Sequence, residues 1–129
     1  MAEREYDLGS AELEVLRVLW DEGAATVREV MNILHHQGRQ VAYTTVLTFL
    51  TRLEQKGFVA SDKTDVAYIY KPKLSRDRVR KSRLRNLVRQ LYDGAPGPLV
   101  LQLVRQGKLS GSEIAELQAL IERLDAKKK

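Results

Sequence analysis

Residues 43–57 read YTTVLTFLTRLEQKG, in which Thr44, Thr45, Thr48 and Thr51 each carry a hydroxyl and a methyl on a branched β-carbon. Such a side chain can hydrogen-bond to a base edge or a phosphate and can touch a thymine methyl. Set at about 100° per residue, Val46, Phe49, Leu50 and Leu53 gather on one side. Thr44, Thr45, Thr48, Thr51, Arg52 and Gln55 take the other, with Leu47 on the boundary. The five β-branched residues forfeit about 2 to 3 kcal/mol of helix propensity relative to alanine, which burial of the apolar side and a hydroxyl cap near Thr44 are expected to offset. Stability alone would place Glu, Lys or Ala there. A whole face of threonine instead suits a helix that must approach a major groove closely, although an exposed face that merely tolerates threonine is the plainer alternative.

Charge supports the first reading. Between Glu29 and Glu54 there is no carboxylate, while Arg39 and Arg52 are present, so the main repulsion against phosphate is missing from this strip. Arg39, Gln40 and Tyr43 are expected near a nucleic-acid backbone at the helix entry, and Arg52 farther along. Other chemistries find little support. With no cysteine, disulfides, thiolate metal clusters and cysteine nucleophiles are excluded. His35 and His36 are adjacent and diverge by about 100° on a helix, so they do not converge on one metal or one proton. No Ser-His-Asp set, phosphate loop or carboxylate pair stands out, and neither an enzyme, a metal site nor a cofactor is expected.

The elements that must position this face follow from period and capping. Ser10 with AELEVLRVLWDEG reads as a helix with Leu13, Leu16 and Trp20 inward and Gly23 at its end. Thr26 and Glu29 form a T-x-x-E capping pair before a second helix through Val27, Val30, Met31 and Leu34, stopped at Gly38. The threonine helix, 43–56, is the third. FVASDKTDVAYIYKPK then reads as a hairpin with Lys63 and Thr64 at its tip, a place suited to phosphate or minor-groove contact. Alternation predicts Ala67 and Ile69 toward the helices and Tyr68 and Tyr70 outward. Three helices followed by a hairpin is the order of a winged helix-turn-helix.

The formal net charge is +5, but residues 1–73 carry 9 basic and 11 acidic side chains, whereas 74–129 carry 13 and 6. The excess lies largely in Arg76–Arg89, a run that is most simply a solvated face, although Arg76, Arg80 and Arg83 are candidates for flanking phosphates. From Ser75 the spacing returns to helical, with Leu84, Leu87, Val88 and Leu91 on one stripe and DGAPGP at 93–98 as a break. LVLQLV at 99–104, holding Leu99, Leu101 and Leu103, comes next. Ser110 and Glu113 cap a last helix striped by Ile114, Leu117, Leu120, Ile121 and Leu124, with 127–129 as a frayed end. A three-helix segment of this size is marginal alone, so its leucines call for a partner, and a second copy is the simplest. The alternative is packing back on the first domain. The expected architecture is mainly α with a small β-hairpin: a winged helix-turn-helix domain at 1–73 and a three-helix dimerisation domain at 74–129. The apolar runs are too short to span a membrane and MAEREYDLGS lacks a leader's hydrophobic core, so a cytoplasmic location is expected.

LGSAELEVLRVLWDEGAATVREV, AYTTVLTFLTRLEQKGFV, AYIYKP and GPLVLQLVRQGKLSGSEIAELQALIERL together resemble the penicillinase-repressor (BlaI/MecI) family of bacterial transcriptional regulators. The resemblance spans nearly the whole chain; T-T-V-x-T-x-L-x-R-L at 44–53, after W-x-x-G at 20–23, is its most specific part. It implies a homodimeric repressor at palindromic operator DNA, controlling β-lactam resistance or cell-envelope stress genes. Thr44, Thr45, Leu47 and Thr48 would then face the groove, with Lys63 and Tyr68 on the wing. Some members carry basic residues where Thr44 and Leu47 stand, which implies a different operator. The family's response to antibiotic runs through a membrane sensor protease, or a protease downstream of it, that leads to cleavage of an Asn-Phe bond; the matching position is Gln102-Leu103. A winged helix that serves as a protein-interaction adaptor, without sequence-specific DNA binding, is the competing expectation.

Overall fold

The computed structural model describes residues 8–128; MAEREYD, part of the stretch inspected for a leader, and Lys129 lie outside it. Helix α1, Ser10–Glu22, opens where the Gly9 N–H donates to the Glu12 carboxylate at 3.1 Å, and ends at Gly23, whose φ of 85° lets the chain reverse. Its buried face is Val15, Leu16, Val18 and Leu19, with Leu13 and Trp20 packed beside them, so the helix is covered over a wider arc than three residues suggest. Helix α2, Val27–His36, is closed at its start by the expected box. The Glu29 N–H donates to Thr26 Oγ1 at 3.2 Å, and the Thr26 N–H donates to Glu29 Oε1 at 2.9 Å. Helix α3, Tyr43–Gln55, buries Val46, Leu50 and Leu53 with no exposure at all. Burial of each such side chain contributes roughly 1.5 to 3 kcal/mol, which outweighs the propensity lost to the threonines.

Gly57, at a φ of 86°, turns α3 into strand β2, Val59–Asp62, which pairs antiparallel with β3, Ile69–Pro72. The expected hairpin gains a third strand. Strand β1, Ala25–Thr26, pairs antiparallel with β3 on its other edge, so that β3 is central. The centre strand is also where one expectation is corrected: Tyr70 is 2% exposed and belongs to the core, whereas Ile69 is 39% exposed. Its cross-strand partners are Ala25 and Ser61, both small, and the space they leave on that face holds the ring. Burial first, and the Glu54 charge second, push the Tyr70 phenol above its ordinary range.

The remaining helices are α4 Arg76–Tyr92, α5 Pro96–Arg105 and α6 Gly111–Lys128. Helix α6 begins at the Ser110–Glu113 box and stays helical through Lys128, past the point at which a frayed tail was expected. The described residues thus form six helices and one three-stranded antiparallel sheet. The chain divides into two compact units between Asn86 and Leu87, inside α4, rather than at 73/74. The first turns of α4 explain the shift, because they are fastened to α1. Trp20 Nε1–H donates to the Leu74 carbonyl at 2.9 Å, Arg76 pairs with Asp21, Arg83 donates to the Leu8 carbonyl at 3.0 Å, and Val79 is buried.

Phe58 has no exposure, and its carbonyl accepts from the Lys73 N–H at 2.8 Å, joining the end of the hairpin to the start of β2. Phe58→Ala should lower the unfolding free energy by about 3 to 5 kcal/mol, read from urea denaturation; a loss under about 1 kcal/mol would mean this ring is not a core element.

Candidate nucleic-acid interface

The burial of Val46, Leu50 and Leu53 decides which way the rest of α3 faces. Thr44, Thr45, Thr48, Thr51 and Arg52 are all exposed, and Leu47 is half-buried. The capping expectation is corrected: the N-cap is Ala42, which has no side chain able to cap, and the hydroxyls are used differently. Thr48 Oγ1 donates to the Thr44 carbonyl at 2.9 Å and Thr51 Oγ1 to the Leu47 carbonyl at 2.8 Å. Each hydroxyl therefore spends its proton on the helix and turns an acceptor and a methyl outward. That combination complements the amino groups of adenine or cytosine and the thymine methyl.

Around this face the cations differ in how free they are. Arg39 Nε lies 3.1 Å from Glu14 Oε2, with Arg39 exposed and Glu14 half-buried. Gln40 is exposed at the α3 entry. Lys63 Nζ lies 5.7 Å from the Tyr68 ring centre and 3.9 Å from Glu54 Oε1, whose other oxygen accepts from the Ser61 hydroxyl. Thr64, expected to be available at the wing tip, closes the turn: its N–H and its hydroxyl both donate to Asp62 Oδ1, at 3.0 and 2.8 Å. Of the three arginines considered for flanking phosphates, Arg76 holds α4 to α1 through Asp21, Arg83 reaches the Leu8 carbonyl just ahead of α1, and Arg80 is exposed.

One residue escaped the sequence reading. Arg28, in the first turn of α2, is exposed with its guanidinium 5.5 Å from the ring centre of Tyr43. It lines a groove of about 290 Å³ together with Thr26, Tyr43, Leu47, Val66 and Tyr68. The T-x-x-E pattern held the missing signal: Glu29 next door is consumed at the cap, so the acid-free strip in space begins before it does in sequence. His35 Nε2 sits 2.8 Å from the Val41 carbonyl, where it ties the end of α2 to the following loop. No group of side chains able to hold a metal ion occurs among the described residues, and none of the described helices is long and apolar enough to cross a membrane.

In the second unit no residue of α5 or α6 is buried. Leu101, Leu103, Ile114, Leu120, Ile121 and Leu124 are exposed, as are Leu84, Leu87 and Leu91 of α4, while Val88, Leu99 and Leu117 are half-covered. Gln102 and Leu103 lie exposed within α5, and the Tyr92 hydroxyl donates to Gln102 Oε1.

The penicillinase repressor family model matches residues 8–123. The chain belongs to that family. It is 28% identical over 123 residues to the methicillin resistance regulatory protein MecI of Mammaliicoccus sciuri, covering 95% of this chain and 99% of that one. Similarity to the penicillinase repressor of Bacillus licheniformis is 28% over 122 residues, covering 95% and 94%. The solution structure of the DNA binding domain of the repressor BlaI superposes with a TM-score of 0.51 at 26% identity, over 60% of this chain and 93% of that domain. The penicillinase repressor match thus runs through both compact units.

The Asp62 turn makes a pH prediction. The Thr64 N–H, then the Thr64 hydroxyl, hold the Asp62 carboxyl below its ordinary 3.8, so the carboxylate's contribution to the turn is present above that value and lost as pH falls through the lower, folded one. An acid titration of the Thr64 amide shift by NMR should show its midpoint below 3.8; a midpoint at or above 3.8 would mean the Asx turn is not formed in solution.

Proposed function

We propose that this member of the penicillinase repressor family is a homodimeric transcriptional repressor. It binds palindromic operator DNA through α3 and controls β-lactam resistance or cell-envelope stress genes in the cytoplasm. The observation that carries the reading is the outward face of α3: exposed Thr44, Thr45 and Thr48, the last with its hydroxyl proton spent on the helix, beside Leu47, with no carboxylate from Tyr43 to Leu53. MecI and the penicillinase repressors, named for resistance regulation and repression, support the same role. Arg39, Gln40, Tyr43, Arg52, Lys63, Thr64 and Tyr68 frame the face, the cations toward phosphate. The uncovered leucines of α4, α5 and α6 support pairing with a second copy, since three amphipathic helices from each subunit complete one core.

Release by proteolysis is proposed at Gln102–Leu103. Because that bond lies within α5, a protease engages it only after local unwinding, which pairing of the subunits would oppose.

Replacing Thr45 and Thr48 together by Glu puts two carboxylates against phosphate and should abolish duplex binding in a gel-shift assay while leaving the fold intact by circular dichroism. Retained binding would favour the adaptor function. For the unaltered protein, a dimer engaging about eight phosphates should give a log–log salt slope of roughly −7, with half-sites about one helical turn apart. Leu120→Glu should shift the sedimentation of a dimer to that of a monomer at micromolar concentration; an unchanged dimer would place the interface elsewhere.

A further inference from the structure

The groove between the start of α2, the first turns of α3 and the β2–β3 hairpin is lined by apolar and aromatic side chains, Arg28 and Thr26, and by no carboxylate. Tyr43 and Tyr68 on its walls are each 42% exposed. Arg28 is its cation, held over the face of Tyr43, and among the described residues it has no carboxylate within ion-pair distance. Three other cations near α3 differ in this respect. Arg39 is paired with Glu14, Lys63 lies beside Glu54, and Lys56 is paired with Glu12.

A cation that already has a carboxylate must leave it to reach a phosphate, and the freed carboxylate then recruits a counterion. Its net gain is small. An unpaired arginine delivers its full counterion release, and its planar fork suits two phosphate oxygens at once. Restraint by the Tyr43 ring also lowers the entropy lost on binding.

We propose that Arg28 grips a backbone phosphate of duplex DNA at the mouth of this groove, with Tyr43 and Tyr68 packed against the adjoining sugar. Arg28 thereby contributes more to DNA affinity than Arg39 or Lys63, two of the cations that sequence alone singles out. The inference rests on the reading of α3 as a duplex-reading helix, with which the groove is continuous through Tyr43 and Leu47.

The test compares Arg28→Gln, Arg39→Gln and Lys63→Gln on two probes across a salt series: a duplex selected from a random pool by the unaltered full chain, and sheared duplex of mixed sequence. Arg28→Gln should weaken both by roughly tenfold and reduce the log–log salt slope by about 0.9 per bound protomer, with smaller effects from the other two variants. Arg28→Lys, which keeps the charge and loses the fork, should keep the slope and lose part of the affinity. The inference is overturned if Arg28→Gln leaves both duplexes unaffected, if it weakens only the selected duplex, if Arg39→Gln or Lys63→Gln costs more, or if Arg28→Lys loses the slope as Gln does. Failure of the unaltered chain to bind either duplex would instead reject the reading of α3 itself, and this inference with it.

Discussion

Val46, Leu50 and Leu53 fix the rotation of α3 about its own axis, and everything that reads outward from the first unit depends on that rotation. The three side chains meet Leu16 and Leu19 of α1, Val30 and Leu34 of α2, and Phe58 and Tyr70 near the sheet within one buried cluster. Interiors of this kind are close-packed, so rotating α3 by even one residue would replace an aliphatic side chain with a threonine or Arg52 in that cluster. The orientation of the exposed face is consequently set by the core behind it. A helix already formed and oriented in this way has less backbone ordering left to do on contact with another surface.

The charge distribution follows the same economy. Glu12 is buried and receives Lys56, with Nζ 2.9 and 3.1 Å from its two oxygens, while Glu29 is absorbed by a cap and Glu54 by Ser61 and Lys63. Acids near α3 are thus turned to structural tasks on its flanks or behind it, which clears its outward face. The basic surplus of α4 is partly structural as well. Arg76 lies 5.5 Å from the ring centre of Trp20 and pairs with Asp21, so this arginine of the basic run anchors one helix to another.

Capping boxes, glycine stops and the 3.6 period made α1, α2, α3 and α6 legible in the sequence, because each is a local signal spanning a few residues. The hairpin was legible from its two β-prone runs. What the sequence hid was set by long-range register. A two-residue strand at Ala25–Thr26 has no pattern of its own, and it exists because β3 needs a neighbour. The inward turn of Tyr70 depends on two small cross-strand partners, Ser61 across the hairpin and Ala25 on a strand far away in sequence. The Arg39–Glu14 pair joins positions 25 residues apart, and the freedom of Arg28 is visible only once Glu29 is seen at the cap. The threonine face was readable; the direction of its hydroxyl protons was not, since back-bonding to the helix depends on the rotamers adopted there.

The hydroxyl-lined side of α3 is the surface proposed to meet duplex DNA. The most direct measurement is an NMR titration of the isotopically labelled full chain with duplex selected by the protein itself, following backbone amides and threonine methyls. The account predicts that the methyls of Thr44, Thr45 and Thr48 and the amides around them shift most, with the apolar residues of α5 and α6 undisturbed. Shifts centred on α5 or α6, with the three threonine methyls unmoved, would contradict it.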